Sequence, residues 1–283
     1  MEAMRLVVHG AAGRMGRRIV ACAVADPRWR VVQALEHRGN PHVGADAGTL
    51  AGVSPLGVHV CDHWELPDHR EPGSGSADAD CIIDFSLPGA VGSIARLAAE
   101  RGVPLVVATT GLEPADQEAV RLASAKVAVL QSPSMSLAVN VAMDLVERAG
   151  RLLSAVGGRT DVEIVECHHR HKEDAPSGTA LKFGGIVADA MRHAHPPGTT
   201  SEAHGRHGRV GARPAGEIGY HAVRAGDNPG EHTILFGLDG ESLSVNVRAT
   251  SRDCYATGAL AAAAFLVGKP AGLYSMRDVL GLA

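Results

Sequence analysis

The chain has 283 residues, 45% hydrophobic and 20% charged, a balance suited to one large or two medium globular domains with a substantial core. Its formal net charge of −4 argues against nucleic acid or an anionic membrane as the main partner. No apolar run is long enough to span a bilayer, and "MEAMRLVVHGAAG" lacks the regions of a signal peptide, so a cytoplasmic location is expected. Aromatics make up 3% of the chain, so Ala, Val, Leu and Ile must build the core. The five cysteines are scattered, odd in number and without a CxxC pair. They read as free thiols rather than a disulfide framework or a zinc site.

In chain order, "MRLVVHG" (Met4–Gly10) is a short apolar strand and "RMGRRIVACAVAD" a helix. "WRVVQALE" (Trp29–Glu36), "ADCIIDFS" (Ala79–Ser86), "VPLVVATTG" (Val103–Gly111) and "KVAVLQSP" (Lys126–Pro133) are further strands. "PGAVGSIARLAAERG" and "EPADQEAVRLASA" are amphipathic helices between them. Strands without polar alternation, separated by helices, predict a parallel α/β sheet covered on both faces. The stretch "REPGSGSA" (Arg70–Ala77) is expected to be a surface loop.

The texture changes after Pro133. A helix over about Ser136–Ala155 precedes the strand "TDVEIVECHH", then a helix running to about Ala194 and a polar loop from Pro196 to Pro214. Three strand-like runs follow, "GEIGYHAVRAG", "EHTILFGL" and "ESLSVNVRAT", the last two joined by a hairpin through Asp239-Gly240. This predicts a mixed α+β domain over 136–248. An Ala-rich helix (Cys254–Gly268) and "GLYSMRDVL" return the segment 249–283 to the first domain, 1–135.

"VVHGAAGRMGRRIV" sets Gly10, Gly13 and Gly16 between a strand and a helix, with Ala11 where a strict GxGxxG needs glycine. The spacing still serves a dinucleotide. Gly10 permits the turn, Gly13 lets backbone approach a pyrophosphate, and Gly16 allows close helix packing. The helix N-terminus offers free N–H groups to the anion. Glu36 lies 20 residues beyond Gly16, where an acid holds an adenosine ribose through its hydroxyls. Such an acid favours NADH, whereas His37, Arg38, Arg14 and Arg17 suit the ribose phosphate of NADPH, and both cofactors stay open. Thr109 and Thr110, in "ATTG" (Ala108–Gly111), end another strand on the edge that binds ligands in open α/β sheets, within reach of a nicotinamide ribose or carboxamide.

The densest chemistry is "ECHHRHKEDAPSGTAL", Glu166–Leu181. Strand alternation sends His168 and His169 to opposite faces unless the strand ends there. Three histidines with Arg170 and Lys172 repel and depress one another's pKa, so an anionic ligand is the economical explanation. Lys and Arg oppose a cation, and no Cys/Asp/Glu set at ligand spacing accompanies them, so no metal is expected. Ser177 is a good N-cap, and the backbone N–H groups of Gly178 and Thr179, with the Thr179 hydroxyl, form a carboxylate site. Cations facing a helix N-terminus call for a compact, doubly anionic small molecule.

This stretch resembles the signature of the 4-hydroxy-tetrahydrodipicolinate reductases, formerly dihydrodipicolinate reductases, of the diaminopimelate/lysine pathway. "GAAGRMGR", "IDFS", "ATTG", "SPSMSLAVNV", "VRAGDNPGEHT" and "GLYSMRDVL" extend the resemblance over nearly the whole chain. It implies a Rossmann-type cofactor domain and a mixed-sheet substrate domain through which homotetramers form. It also implies NAD(P)H contacts at Gly10, Ala11, Ala12, Gly13, Arg14, Met15, Glu36, Ala108, Thr109, Thr110, Ser132, Pro133, Ser134 and Met135. His168 and Lys172 are implied as general-acid residues, and His169, Gly178 and Thr179 as substrate-carboxylate contacts. Three positions depart from the family pattern: Ala108 stands for a frequent Gly, Ser134 for an Asn, and His37 for the Arg that meets a 2′-phosphate. The implied reaction adds hydride to a cyclic imine dicarboxylate and then protonates carbon. Lys172 is expected to be the donor, its pKa lowered by neighbouring cations, with His168 as alternate donor or placing Lys172. Asp174 is expected to stabilise the turn. Two other readings use the same residues: a related dehydrogenase acting on a different carbonyl, and a non-catalytic NAD(H)-binding redox sensor that has no need of the cluster.

Overall fold

A computed structural model describes residues 2–64, 79–192 and 200–282. The chain divides into two compact units, Met1–Leu137 with Arg252–Ala283, and Ala138–Ser251. None of its described helices is long and apolar enough to cross a membrane.

The first unit is wound in β–α steps. β1 (Met4–His9), α1 (Arg14–Ala25), β2 (Trp29–Leu35), α2 (Ala47–Ala51), β3 (Val60–Cys61) and β4 (Cys81–Asp84) come first. α3 (Val91–Arg101), β5 (Leu105–Val107), α4 (Pro114–Ser124) and β6 (Ala128–Gln131) follow. The strands form a seven-stranded sheet in the order β12-β6-β5-β4-β1-β2-β3, where β12 (Gly272–Tyr274) arrives from the C-terminal segment. Every pairing in it is parallel. The strand order reverses between β1 and β4, so the loops after these strands flank the crevice where such sheets bind ligands.

Apolar strands are explained by two covered faces. Leu6, Val8, Ile83, Val106 and Leu130 pack with Ile19 and Val20 of α1 and with Ala256, Ala259 and Ala263 of α7 (Asp253–Leu266). Their neighbours Val7, Ile82, Leu105, Val107 and Val129 pack with α3 and α4 through Ile94, Ala95, Ala98 and Val120. Alternation therefore sends each half of a strand into a different core layer. The C-terminal segment supplies α7 to one layer and β12 to the sheet edge, then ends in α8 (Met276–Val279).

The second unit holds α5 (Leu137–Val156), β7 (Asp161–His168), α6 (Gly178–Ala190), β8 (Ser201–His204), β9 (Glu217–Arg224), β10 (Gly230–Gly237) and β11 (Ser242–Ala249). Its sheet is mixed, in the order β11-β10-β7-β9-β8. β10 runs antiparallel to β7 and β11, and β7–β9 and β9–β8 are parallel. Val162 and Ile164 of β7, Ile234 and Phe236 of β10 and Ile218 of β9 meet Val146 of α5 and Phe183 and Val187 of α6. One face is thus a core, and Val165 and Val223 are exposed among the strands.

Three elements escape the sequence reading. β8 falls inside the expected polar loop: "SEAH" lacks apolar alternation and is a strand only because it pairs along the edge of β9. There the His204 ring stacks on Tyr220 at 5.3 Å. α2 is a single turn, started by Asp46 accepting from the Thr49 amide at 2.8 Å, and β3 is two residues long. α6 ends at Ala190, short of the expected Ala194. The Arg70–Ala77 stretch lies outside the described residues.

Candidate active site

In the first unit, the turn after β1 is tied to β2, since the Gly10 and Ala11 amides donate to the Leu35 carbonyl at 2.9 and 3.0 Å. Gly10 has φ +78°, and a Cβ there would lie 2.6 Å from the Phe85 carbonyl oxygen. At Gly16 a Cβ would lie 2.1 Å from the Gly10 oxygen. Only glycine lets α1 approach the turn so closely. α1 starts after Gly13 without a side-chain cap, which leaves its opening amides available to an anion. Arg14 is exposed at this helix start, while the Met15 side chain packs against the core.

The Glu36 carboxylate accepts from the Ala12 amide and from the His37 amide, each at 3.1 Å. Beside it, Arg17 Nε donates to the Ala12 carbonyl at 2.8 Å, and Arg17 Nη2 lies 3.0 Å from His42 Nε2. An acid and a guanidinium therefore grip the two ends of one residue in the glycine turn. His37 and Arg38 are exposed next to them.

Asp84, at the end of β4, is fully buried. It holds His9 Nδ1 at 2.6 Å, accepts from the Ser86 hydroxyl at 2.7 Å, and accepts from the Thr109 hydroxyl at 2.6 Å. This carboxylate ties the ends of β1, β4 and β5 together at the sheet edge. It also alters the expectation for Thr109, whose hydroxyl proton is committed to Asp84. Thr110 is the exposed threonine of the pair.

Ala108 is buried and donates its amide to the Asp84 carbonyl at 3.0 Å. The Ser132 hydroxyl donates to the Ser134 carbonyl at 2.8 Å, closing the turn around Pro133. Met135 is buried in the core, so its side chain is not free to meet a ligand. A cavity of about 560 Å³ opens here, lined by Thr109, Thr110, Ser132, Pro133, Tyr274 and Asp278 among others. With the glycine turn that a Cβ would fill, this unit fits a dinucleotide.

The second unit carries the histidine-rich stretch. Alternation along β7 puts Glu166 and His168 on the covered face with Val162 and Ile164. β7 ends at His168, and His169 leaves in a turn whose amide donates to the Asn228 carbonyl at 2.8 Å. Arg170 donates its amide to the Gly226 carbonyl at 3.1 Å, so the "RAGDN" turn backs the histidine turn. Sheet register brings in two more residues: Arg224 pairs with His168 across β9, and His232 pairs with Glu166 across β10.

Glu166 is 1% exposed and lies within hydrogen-bonding distance of four nitrogens. Arg224 contributes Nη1 and Nη2, each at 2.8 Å, the Ser177 amide contributes one at 3.1 Å, and His168 Nδ1 lies at 2.5 Å. Burial pushes its carboxyl upward, but the hydrogen bonds from Arg224 and His168 outweigh it, and the pKa falls below the usual glutamate value. Burial lowers the pKa of His168, an effect that Glu166 only partly offsets. Burial, reinforced by the neighbouring His168, takes His232 down to about 4.

Ser177 caps α6, its hydroxyl accepting from the Ala180 amide at 3.2 Å and lying 3.1 Å from His232 Nε2. Gly178 and Thr179 open α6, so their amides stand at the positive end of a 13-residue helix. Part of the positive charge around the cluster is balanced within the chain. Lys172 Nζ donates to both Asp174 carboxylate oxygens, at 2.7 and 2.9 Å, and Arg224 is neutralised by Glu166. Asp174 is therefore the ion-pair partner of Lys172, which holds its carboxyl below the usual aspartate range. Sequence reasoning assigned no part to Glu166, Arg224, His232 or Asp84. The one signal available was their place inside the motifs "ECHH", "VRAGD", "GEHT" and "IDFS".

The chain is similar to known proteins over nearly its whole length. Residues 4–135 match the family model for the N-terminus of dihydrodipicolinate reductase, and residues 138–280 match that for its C-terminus. The 4-hydroxy-tetrahydrodipicolinate reductase of Rhodopirellula baltica is 50% identical over 280 residues, covering 98% of this chain and 96% of that protein. The reductase of the same name from Anaeromyxobacter dehalogenans strain 2CP-1 is 46% identical over 278 residues, covering 98% of both. Among solved structures, the dipicolinate-bound dihydrodipicolinate reductase from Paenisporosarcina sp. TG-14 shares the fold with a TM-score of 0.73. It is 23% identical and covers 98% of both chains. The chain belongs to the dihydrodipicolinate reductase family.

Proposed function

We propose that this chain is an NAD(P)H-dependent oxidoreductase that reduces 4-hydroxy-tetrahydrodipicolinate, or its dehydrated imine, to tetrahydrodipicolinate. The observation that carries this reading is the end of β7. There His168, His169 and Lys172 gather with the α6 N-terminus, and the Gly178 and Thr179 amides supply the pairing a carboxylate needs.

In this reading the first unit holds the cofactor. The turn Gly10, Ala11, Ala12 and Gly13 gives the pyrophosphate room to approach the backbone, and the open amides of Arg14 and Met15 at the start of α1 hold it. Glu36 takes the adenosine ribose, with Arg17 beside it to meet a 2′-phosphate, which supports use of both cofactors. Ala108, Thr109, Thr110, Ser132, Pro133, Ser134 and Met135 border the nicotinamide through backbone and, at Thr110, a hydroxyl. The bound nicotinamide supplies a hydride to a ring carbon.

The second unit holds the diacid. His169 and the Gly178 and Thr179 amides fix the carboxylates and orient the ring. Hydride addition to the conjugated imine leaves an enamine, and Lys172 gives its proton to the enamine carbon. Asp174 aligns the ammonium for that transfer. His168 stands beside Lys172 as its partner in the proton path. The exposed apolar residues Val165 and Val223 on the strands support a homotetramer assembled through this sheet, and the five free thiols suit the cytoplasm. Consumption of NADH or NADPH with the cyclic imine made in situ by its synthase is the test. Absence of turnover with either cofactor refutes the reading.

A further inference from the structure

We infer that Glu166 is a positioning residue for His168, holding the ring in its Nδ1–H form and leaving Nε2 as the nitrogen that works. The inference rests on the reading of His168 as part of the reacting site. Glu166 has four lone-pair sites. Three accept from N–H groups, two of Arg224 and one of Ser177, and the fourth faces His168 Nδ1. The guanidinium keeps the carboxylate ionised, so the hydrogen between Glu166 and His168 sits on Nδ1. Nε2 makes no hydrogen bond among the described residues and carries the lone pair.

Arg224 makes this possible. A lone carboxylate buried at 1% exposure would take up a proton rather than stay charged, and the bidentate guanidinium keeps it ionised. The parallel register that pairs Arg224 with His168 delivers the guanidinium to this point. Glu166 also anchors the Ser177 amide at 3.1 Å, so the same group fixes the cap that aims the Gly178 and Thr179 amides. One carboxylate thus sets both the ring of His168 and the start of the carboxylate-binding helix.

The consequence is a division of labour. A neutral His168 with its proton on Nδ1 accepts at Nε2 and can donate there only after gaining a proton. Lys172 is then the primary donor to carbon, and His168 Nε2, with a lone pair and no proton of its own, is the acceptor that orients it. The arrangement follows the logic of carboxylate–histidine pairs, where replacing the acid by its amide selects the wrong tautomer and costs several powers of ten in kcat.

The test reads the tautomer directly. Proton–nitrogen correlation spectra of wild-type chain with isotope-labelled histidine, assigned by the signals lost in His168→Gln, report the neutral Nδ1–H form at pH 7.5 or above. Glu166→Gln turns an amide N–H toward Nδ1 and converts the ring to Nε2–H. In that variant kcat falls on the order of 100-fold or more, its pH profile changes, and the NADH Kd stays within about twofold. An Nε2–H or doubly protonated His168 in the wild type overturns the inference. So does Glu166→Gln with wild-type kcat and an unchanged pH profile. A wild type inactive toward the cyclic imine overturns the functional reading instead, because the tautomer is measured without substrate and decides the part of Glu166 by itself.

Discussion

His232 makes the second unit sensitive to acid, by an amount the structure allows to be worked out. Its ring is 4% exposed, in contact with His168 at a centroid distance of 5.2 Å and with Phe183 at 5.9 Å. Burial first, and then His168, lower its pKa from 6.5 to about 4. The folded chain keeps the ring neutral, whereas the unfolded chain binds a proton once the pH drops below 6.5. The unfolded state holds more protons in that window, so stability is fully present above pH 6.5 and is lost as the pH falls toward 4. Between pH 7 and pH 5 this one ring removes about 2 kcal/mol. His232→Gln keeps a polar group for the Ser177 hydroxyl and does not titrate. Urea unfolding of both proteins at pH 7 and pH 5, followed by circular dichroism, isolates the effect from other groups. The wild type should lose about 2 kcal/mol more than the variant over this interval. Equal losses, within about 0.5 kcal/mol, refute the assignment of a buried neutral ring.

Three further substitutions address the remaining parts of the account. Gly16→Ala places a methyl 2.1 Å from the Gly10 carbonyl oxygen; displacing the turn should cost about 1–3 kcal/mol of stability. It should also weaken NADH binding at least about tenfold, seen by fluorescence titration. Asp84→Ala strips the partner from the Thr109 and Ser86 hydroxyls and the His9 ring. The buried Thr109 hydroxyl left without an acceptor costs about 1–3 kcal/mol, so a clear fall in thermal midpoint and a raised KM for NADH are expected. Lys172→Ala should lower kcat by about 100-fold or more while the NADH Kd is unchanged, and undiminished turnover removes Lys172 from the proton path.

Much of the fold is local in origin and so can be read along the chain. "LVV" in β1 is apolar at every position because alternate residues enter different core layers, and that run marks a parallel strand before any partner is known. Ser177 announces the start of α6 because a cap is a three-residue matter, and its hydroxyl does bond the Ala180 amide. Pairing across the sheet is not local. Glu166 meets Arg224 only through the register of β7 with β9, across 58 residues of chain, and meets His232 only through β10. Sequence inspection therefore registers the cations of the cluster and misses the buried Glu166–Arg224 pair beside them. Asp84 is hidden for the same reason: "IDFS" shows an acid at a strand end, and only the parallel stacking of β1, β4 and β5 makes it a common acceptor. β8 has no sequence signal of its own, because its polar residues become a strand only by lying against β9.

The claim on which the functional account rests is that a diacid is gripped where β7 ends and α6 begins. A crystal structure of the chain with pyridine-2,6-dicarboxylate measures this most directly. The account predicts one carboxylate within hydrogen-bonding distance of the Gly178 and Thr179 amides, with His169 on the ligand and Lys172 beside the ring. A ligand bound away from α6, with those amides facing water, would contradict it.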